Sequence, residues 1–585
     1  MISLYCILVL SLAAAPAAAS AVPVGLDPLQ RHRFRQGNTE SACRCFPGDP
    51  CWPTAEEWSA FNQTVGGKLI ATVPIASACH NSFPNVRYDA AACDEVRANW
   101  PRPAFHHVTS HSPMASFFAN KSCDPFSDPD APCSVGSYVQ YAVRATSAYD
   151  YQMTLAFAEA HNIRLVIRNT GHDYLGKSTG AGALALWTQA LKDISIFDYS
   201  SDGYQGKAMK VGAGVLCEEA EDAAHAEGLA VVCGDCPTVG LAGGYTQGGG
   251  TSPLGSTFGL AADQALEWEV VTPQGEYLIA TPTSNSDLYW ALSGGGGGTY
   301  AAVLSLTIKV HPDVKVAGGS LIFSSEGVDP DAFWGVVKTV LMSLPNFIDA
   351  GGVALWMLVD GVFLMPQLYL PNQSAEQLKT LILEPVTKAL DQAGIQYSQS
   401  AVEFPTFLDS FQTLNPDINI TEYNVGGRLI PRSLVATDAS ATVLTNALRA
   451  ITDKGAHLAN VVMNVSRSPT YANAVYPGWR DSLMMVMTAI PYDFDDFEAN
   501  VAARKKITNE IDPILAEITP GGGAYLNEAD YSEPNFQEAF YGSNYERLLS
   551  IKKKYDPNNI LWGKTAVGSE SWDVQADGRL CQTGL

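Results

Sequence analysis

Apolar positions along the chain change rhythm at about Val316. Before it they come in short blocks. Tyr151 to Ala160 has helical spacing, and Arg164-Leu165-Val166-Ile167-Arg168 is a short apolar run of the kind a buried strand presents. Met209-Lys210-Val211, the turn Gly212-Ala213-Gly214 and the stretch Val215 to Glu227 predict strand, turn and helix. Ala265 to Thr272 and Glu276 to Ala280 predict a hairpin. Asp287 to Leu292 reads as a turn of helix ended by Gly294 to Gly298, and Val303 to Val310 alternates like a strand. After Val316 the glycine punctuation thins. Strand patterns at Gly318 to Phe323, Val353 to Val359, Phe363 to Tyr369, His457 to Asn464 and Ser482 to Thr488 interleave with helical ones. The helices are expected at Ala332 to Leu344, Ala375 to Gln392 and Thr442 to Thr452. That interleaving predicts a separate α+β domain with a sizeable antiparallel sheet. Asn500 to Glu517 and Tyr545 to Tyr555 predict helices at the end of the chain.

One stretch fits neither rhythm. Cys233 to Asp263 reads CGDCPTVGLAGGYTQGGGTSPLGSTFGLAAD. Glycine at this density costs backbone entropy, and it is retained where the chain must take φ > 0 or approach something closely. Val239, Leu241, Tyr245, Leu254, Phe258 and Leu260 punctuate it, unlike a flexible linker. A large cofactor with a pyrophosphate suits such a stretch, because backbone N–H groups cradle anions where side chains would block them.

At 585 residues the chain exceeds what one hydrophobic core supports, so two domains or more are expected. A hydrophobic share of 46% with 16% charged residues excludes a largely disordered chain. The net charge of −24 argues against nucleic acid and anionic membrane surfaces as partners and suits a soluble protein in an acidic external medium. Met1 to Ser20, with Leu4 to Leu10 apolar and Ala13 to Ala19 small, reads as a signal peptide lacking a basic start, and no later apolar run approaches a membrane span. Sequons at Asn62, Asn120, Asn372, Asn419 and Asn464 agree with a secreted glycoprotein. Outside the cell the cysteines beyond the signal should pair: Cys43, Cys45, Cys51, Cys79, Cys93, Cys123, Cys133, Cys217, Cys233, Cys236 and Cys581. Their number is odd. The seven from Cys43 to Cys133 predict short helices and loops stapled by disulfides. Cys236, inside the glycine stretch, is the candidate for the one left over.

Candidate chemistry narrows the field further. There is no HExxH pair, no closely spaced Cys/His zinc set and no GxSxG elbow, so metalloprotease and α/β-hydrolase readings lack support. Gly212-Ala213-Gly214 imitates a dinucleotide fingerprint, but its third glycine position holds Cys217 and no acid follows in register. The strand ending at Arg168 empties into Asn169-Thr170-Gly171-His172-Asp173-Tyr174-Leu175-Gly176, which sets backbone amides and His172 at a sheet edge. His172 has a structural reading and a ligand-binding one.

Taken in order, RNTGHDYLG, CPTVGLAGGYTQGGG, FGLAAD, WALSGGGGGTYAAVLS, YLNEAD and YDPNNILW resemble berberine bridge enzyme-like oxidases of the vanillyl-alcohol oxidase superfamily, in a secreted fungal form. The resemblance implies an α+β fold with an FAD-binding domain of two α+β subdomains and an α+β substrate domain carrying an antiparallel sheet. The expected organisation is a signal peptide (1–20), a Cys-rich region (21–135), the FAD-binding domain (136–315), the substrate domain (316–512) and a C-terminal segment returning to the flavin (513–585).

Carried over, the resemblance implies that His172 links to the flavin 8α-methyl and Cys236 to flavin C6, in agreement with the cysteine count. Arg168, Asn169, Thr170, Gly171, Asp173 and Gly176 are the further FAD contacts expected from the first motif. Pro237, Thr238, Val239, Gly240, Gly243, Gly244, Gly248, Gly249, Gly250, Leu260 and Ala261 are those expected from the glycine stretch. Val239 falls at the oxygen-gating position and favours an oxidase. Tyr525 is the expected catalytic base, made acidic by a cationic or hydrogen-bonding neighbour, and Asn527 is expected beside the flavin. Glu528-Ala529-Asp530 departs from the plant pattern. No metal is implied. A monomer acting on a small molecule and O2 is expected, the substrate being an alcohol, a sugar or a secondary metabolite. Trp356, Tyr476, Trp479 and Tyr531 are candidates to stack on it. A dehydrogenase with another acceptor and a non-catalytic flavoprotein are the alternatives.

Overall fold

The computed structural model describes residues 43–415, 419 and 422–583; the expected signal peptide, 1–20, lies outside them. Three sheets carry the architecture. The first has four strands, β1 (Leu69–Ala71), β2 (Tyr141–Arg144), β3 (Leu165–Arg168) and β4 (Leu184–Trp187), in the order β1-β2-β4-β3. β2, β4 and β3 run parallel, with the helix Ala148–Ala160 crossing between β2 and β3. Ser147 caps that helix by accepting from Asp150 N. Its buried side chains, among them Tyr151, Leu155 and Phe157, pack against the sheet.

The second sheet is antiparallel, in the order β5-β6-β10-β8-β9: β5 (Ile194–Ser201), β6 (Tyr204–Gly212), β8 (Ala265–Val271), β9 (Tyr277–Ala280) and β10 (Ala302–Lys309). A two-residue ladder joins β7 (Leu229–Ala230) to β11 (His311–Pro312). The helices Cys217–His225, Ser286–Leu292 and Tyr545–Tyr555 share one core with this sheet.

The third sheet has seven antiparallel strands in the order β15-β12-β14-β13-β17-β18-β16. They are β12 (Val316–Ser324), β13 (Val353–Val359), β14 (Val362–Pro371), β15 (Tyr397–Phe404), β16 (Tyr423–Pro431), β17 (His457–Val462) and β18 (Ser482–Pro491). The helices Pro330–Asp349, Glu384–Ala393, Asp438–Asp453 and Asp512–Ile518 cover one face. Strand alternation sends Trp356, Leu358, Leu458, Val462, Met484 and Val486 into that helical layer. β16 and β18 are further clasped by Asp512, whose carboxylate oxygens accept from Thr488 Oγ1 at 2.8 Å and Gly427 N at 3.2 Å.

Disulfides staple the N-terminal region as expected, with one exception. Cys45–Cys51, Cys79–Cys93 and Cys123–Cys133 are local, but Cys43 pairs with Cys581, across 538 residues. The C-terminal segment is thereby brought back to the first sheet. Leu561 bridges Leu165 of β3, and the hairpin β19 (Trp572–Val574) and β20 (Leu580–Gln582) closes the fold. Among the described residues no helix is long and apolar enough to cross a membrane.

Candidate functional site

β3 delivers the loop 169–178 to the wall of a cavity of about 460 Å³. Side chains fix the loop. Asp173 accepts from Leu175 N at 2.9 Å and Ser178 N at 3.0 Å. Arg168 is fully buried beneath it and donates to the carbonyls of Ser112 at 2.7 Å and Thr109 at 3.1 Å. Gly171 turns over this guanidinium with φ +89°, and a Cβ there would lie 2.7 Å from its nitrogens.

The glycine stretch lines the cavity beside this loop, tied at its start by the Cys217–Cys233 disulfide. Cys236 stands outside every disulfide of the described residues. Its Sγ lies 3.7 Å from His172 Nε2 and 3.6 Å from Thr238 Oγ1, while Thr238 Oγ1 lies 2.7 Å from the same ring nitrogen. Burial pushes the His172 imidazole down to about 3, aided by His107, His106 and Arg168. His172 is therefore neutral, with a ring lone pair available for bond formation.

The cradle itself is built for an occupant. A Cβ at Gly240 would collide with the Asn169 amide, whereas a Cβ at Gly244 or Gly298 would meet nothing within 4 Å. Gly244 and Gly298 both line the cavity. Asn169 Oδ1 and Gln247 Oε1, from two further lining residues, are buried acceptors without a hydrogen-bond partner. A flat ring system bearing N–H groups suits that lining.

The C-terminal segment completes the site. Tyr525 Oη accepts from Asn527 Nδ2 at 2.8 Å and from Gly250 N at 3.2 Å, and Asn527 also donates to the Gly244 carbonyl at 3.0 Å. Gly248 leaves room for this amide, since a Cβ there would come within 2.5 Å of it. Burial raises the Tyr525 phenol and Glu528 adds to the rise, while the hydrogen bonds from Asn527 and the backbone oppose it. The polarising neighbours of Tyr525 are thus N–H donors rather than a cation. Glu528 is pushed up to about 7 by burial and by Asp235, which burial alone raises to about 6.

Twelve of the expected residues line the cavity: Asn169, Thr170, Gly171, His172, Asp173, Cys236, Val239, Gly240, Gly243, Gly244, Tyr525 and Asn527. The others stand behind the wall. Gly176 packs on Phe118, Thr238 holds His172, and Gly250 N supports the Tyr525 phenol. Leu260 and Ala261 are core residues, with Ala261 N bonded to the Gly250 carbonyl and Ala262 N to that of Gly249. Pro237 continues the same turn, its carbonyl accepting from Glu218 N. Sequence reasoning passed over Asp235, Tyr245, Gln247 and the lining role of Leu561 and Trp562. Asp235 stands in Cys233-Gly234-Asp235-Cys236, and nothing in that local pattern marks it as a lining acid.

The four aromatics expected to stack on a substrate do not line the cavity. Trp356 points into the helical layer and stacks on Phe363. Trp479 meets Tyr525 edge-on from behind, at 5.4 Å between ring centroids. Tyr476 fills the space left by Gly523, and Tyr531 packs against Phe118 and Arg504.

A glycine cradle from a strand-loop-helix unit, roofed by a seven-stranded sheet and closed by a returning C-terminal segment, defines a flavin-dependent oxidoreductase fold. Comparison with known proteins agrees. Residues 139–281 match the FAD binding domain family and residues 524–568 the family described as berberine and berberine like. The chain is 45% identical to the FAD-linked oxidoreductase sor8 of Hypocrea jecorina (strain QM6a), covering 96% of this chain and 97% of that protein. It is 43% identical to the FAD-linked oxidoreductase patO of Penicillium expansum, over 93% and 95% of the two chains. The crystal structure of the VAO-type flavoprotein MtVAO615 from Myceliophthora thermophila C1 superposes with a TM-score of 0.88 at 43% identity, covering 92% of this chain and all of that one. The chain belongs to the VAO-type, berberine-bridge-like family of FAD-linked oxidoreductases.

Proposed function

We propose that the protein is a secreted, monomeric oxidase that removes hydride from an alcohol, sugar or secondary-metabolite C–H. In this reading FAD is held covalently by His172 and Cys236. The carrying observation is the convergence of three elements on one cavity. His172 Nε2 and Cys236 Sγ lie 3.7 Å apart, and the glycine cradle lines the same cavity with Tyr525 and Asn527 bonded to it through Gly250 and Gly244. The open positions at Gly244 and Gly298 and the unpartnered acceptors of Asn169 and Gln247 fit such a cofactor. Bound FAD would supply the hydride acceptor at N5 and pass the electrons to O2, giving H2O2. Val239, on the cavity wall, would leave room for oxygen.

The chain's own residues orient the substrate and take its proton. Asn527 fixes the Tyr525 phenol against the glycine cradle, and Tyr525 would accept the substrate O–H proton as the C–H bond breaks. A second reading gives that proton to Glu528, and one observation favours it. Glu528 lines the same cavity with a carboxyl near 7, whereas both hydrogen bonds at the Tyr525 oxygen occupy the lone pairs a base would use. Tyr525→Phe and Glu528→Gln separate the two by anaerobic flavin reduction in a stopped-flow instrument. The base variant slows reduction by about 10² or more, and the other by much less. Secretion is supported by the five disulfides among the described residues and by the apolar run at 4–10. Flavin recovered on both the His172 and Cys236 peptides after acid denaturation and proteolysis would establish the double link. Flavin on neither would remove it. Reoxidation by O2 no faster than by a quinone would make the protein a dehydrogenase.

A further inference from the structure

The cavity has two unlike walls. The glycine cradle and the C-terminal segment bring polar groups: Asn169, His172, Asp235, Tyr525, Asn527 and Glu528. The opposite wall is the uncovered face of the seven-stranded sheet, and its strand register makes it a continuous tile. Leu355 of β13 pairs with Val461 of β17, which pairs with Met485 of β18. In the next row Met357 pairs with Ala459, and Ala459 with Met487. Beyond it Ala489 pairs with Val425 of β16. All eight side chains are apolar and line the cavity. Polar residues on this face stand at its margins, with Gln367 beside Leu355 at one side and His457 beside Ala489 at the other. Val461 and Met485 belong to the same packed cluster as Tyr525, so the tile reaches the reacting groups.

Resting on the oxidase reading above, we propose that the substrate is a lipophilic alcohol. It would lay an apolar skeleton on this tile and turn a single hydroxyl toward Tyr525, Asn527 and Glu528. A sugar is the wrong shape of polarity for the site. Each ring hydroxyl pressed on the tile would lose water without gaining a partner, at roughly tenfold or more in affinity per hydroxyl. Four methionine and leucine side chains in the first two rows, Leu355, Met357, Met485 and Met487, adapt to carbon skeletons of different outline. Trp356, Tyr476, Trp479 and Tyr531 face elsewhere, and the aromatic rings that do line the cavity, Tyr174, Tyr245, Tyr423, Tyr525 and Trp562, stand outside the rows of the tile.

The test uses the holoprotein as purified and reads binding by calorimetry, with flavin reduction read separately by absorbance under anaerobic conditions. The probes are cinnamyl alcohol, perillyl alcohol and cyclohexylmethanol against glucose, cellobiose and diacetylchitobiose. At least one lipophilic alcohol is expected to bind tenfold or more tighter than every sugar. Met487→Gln should weaken that binding about tenfold with the visible flavin spectrum unchanged, and Met357→Gln, two strands away in the same row, provides the same readout independently. The proposal is overturned by a sugar that binds as tightly as the best alcohol, by no measurable binding of any alcohol, or by alcohol affinity unmoved in both folded variants. Failure of the oxidase reading looks different. An alcohol that binds through the tile yet never bleaches the flavin would refute oxidation and leave the polarity of the site standing, whereas a sugar that bleaches it would do the reverse.

Discussion

Asp512 offers a direct test of how charge is handled beneath the cavity roof. Its side chain is buried and clasps β16 to β18 through Gly427 N and Thr488 Oγ1. Burial pushes the carboxyl from 3.8 up to about 7, the hydrogen bonds pull it partly back, and Asp530 and Glu533 raise it again. The folded state therefore keeps a proton that the unfolded chain gives up near pH 4. Between those two values the folded state binds more protons, so stability falls as pH rises, and it levels off above about 7. A rise of about three pKa units at ~1.4 kcal/mol each makes this loss roughly 4 kcal/mol. Asp512→Asn mimics the neutral acid: one amide atom accepts from Gly427 N while the other donates to the Thr488 hydroxyl, which can rotate. The variant should match the wild type within about 1 kcal/mol at pH 4.5 and be more stable by up to about 4 kcal/mol at pH 7.5. Unfolding midpoints at a fixed scan rate across pH 4 to 8 read the comparison, since disulfide-bonded proteins of this size unfold irreversibly. Because Asp512 lies outside the cavity, the result does not depend on what fills the site. Parallel curves for the two proteins would show that Asp512 is ionised when buried and that the reasoning is wrong.

Other perturbations separate cradle from scaffold. Gly244→Ala should lower flavin content several-fold while leaving the unfolding midpoint within a degree or two, because the added methyl enters open cavity space; full flavin occupancy would show that nothing sits there. Gly240→Ala should lower both, since its methyl meets the Asn169 amide inside the wall. Cys236→Ser should leave flavin on the His172 peptide alone, and an unchanged pattern of flavopeptides would remove Cys236 from the link. Replacing Cys43 and Cys581 together by serine should cost up to about 6 kcal/mol on the chain-entropy relation for so long a loop. Denaturant midpoints of reduced and oxidised wild type would bracket that value.

Legibility from sequence followed the locality of each feature. β3 and its loop could be read because an apolar run empties into a turn within a dozen residues. β13, β17 and β18 showed their alternation because each buries one face under helices and one over the cavity. β15 escaped because it is a polar edge strand with one row of partners, Tyr-Ser-Gln-Ser-Ala-Val-Glu-Phe, mostly turned to solvent. β16 escaped because Gly426 and Gly427 look like a turn. In the fold they are contact points, where a Cβ would press on Asp512 and on the Val486 carbonyl. The parity of Trp356 decided its fate in the same way: one residue to either side, Leu355 and Met357 face the cavity, and Trp356 does not. The Tyr525–Asn527 contact with Gly244 and Gly250 joins segments some 280 residues apart, and only the family resemblance brought them together.

The bond between Cys43 and Cys581 also sets an order of events during manufacture of the protein. Its second sulfur follows its first by 538 residues, and the cavity wall at Leu561 and Trp562 is made only shortly before it. A nascent chain emerging from the ribosome can build the stapled N-terminal region and the first two sheets, but it has no closed pocket to offer. The complete lining therefore exists only once the chain has been made past Trp562. A product cut short before Cys581 would lack the bond that ties this segment to the N-terminal region.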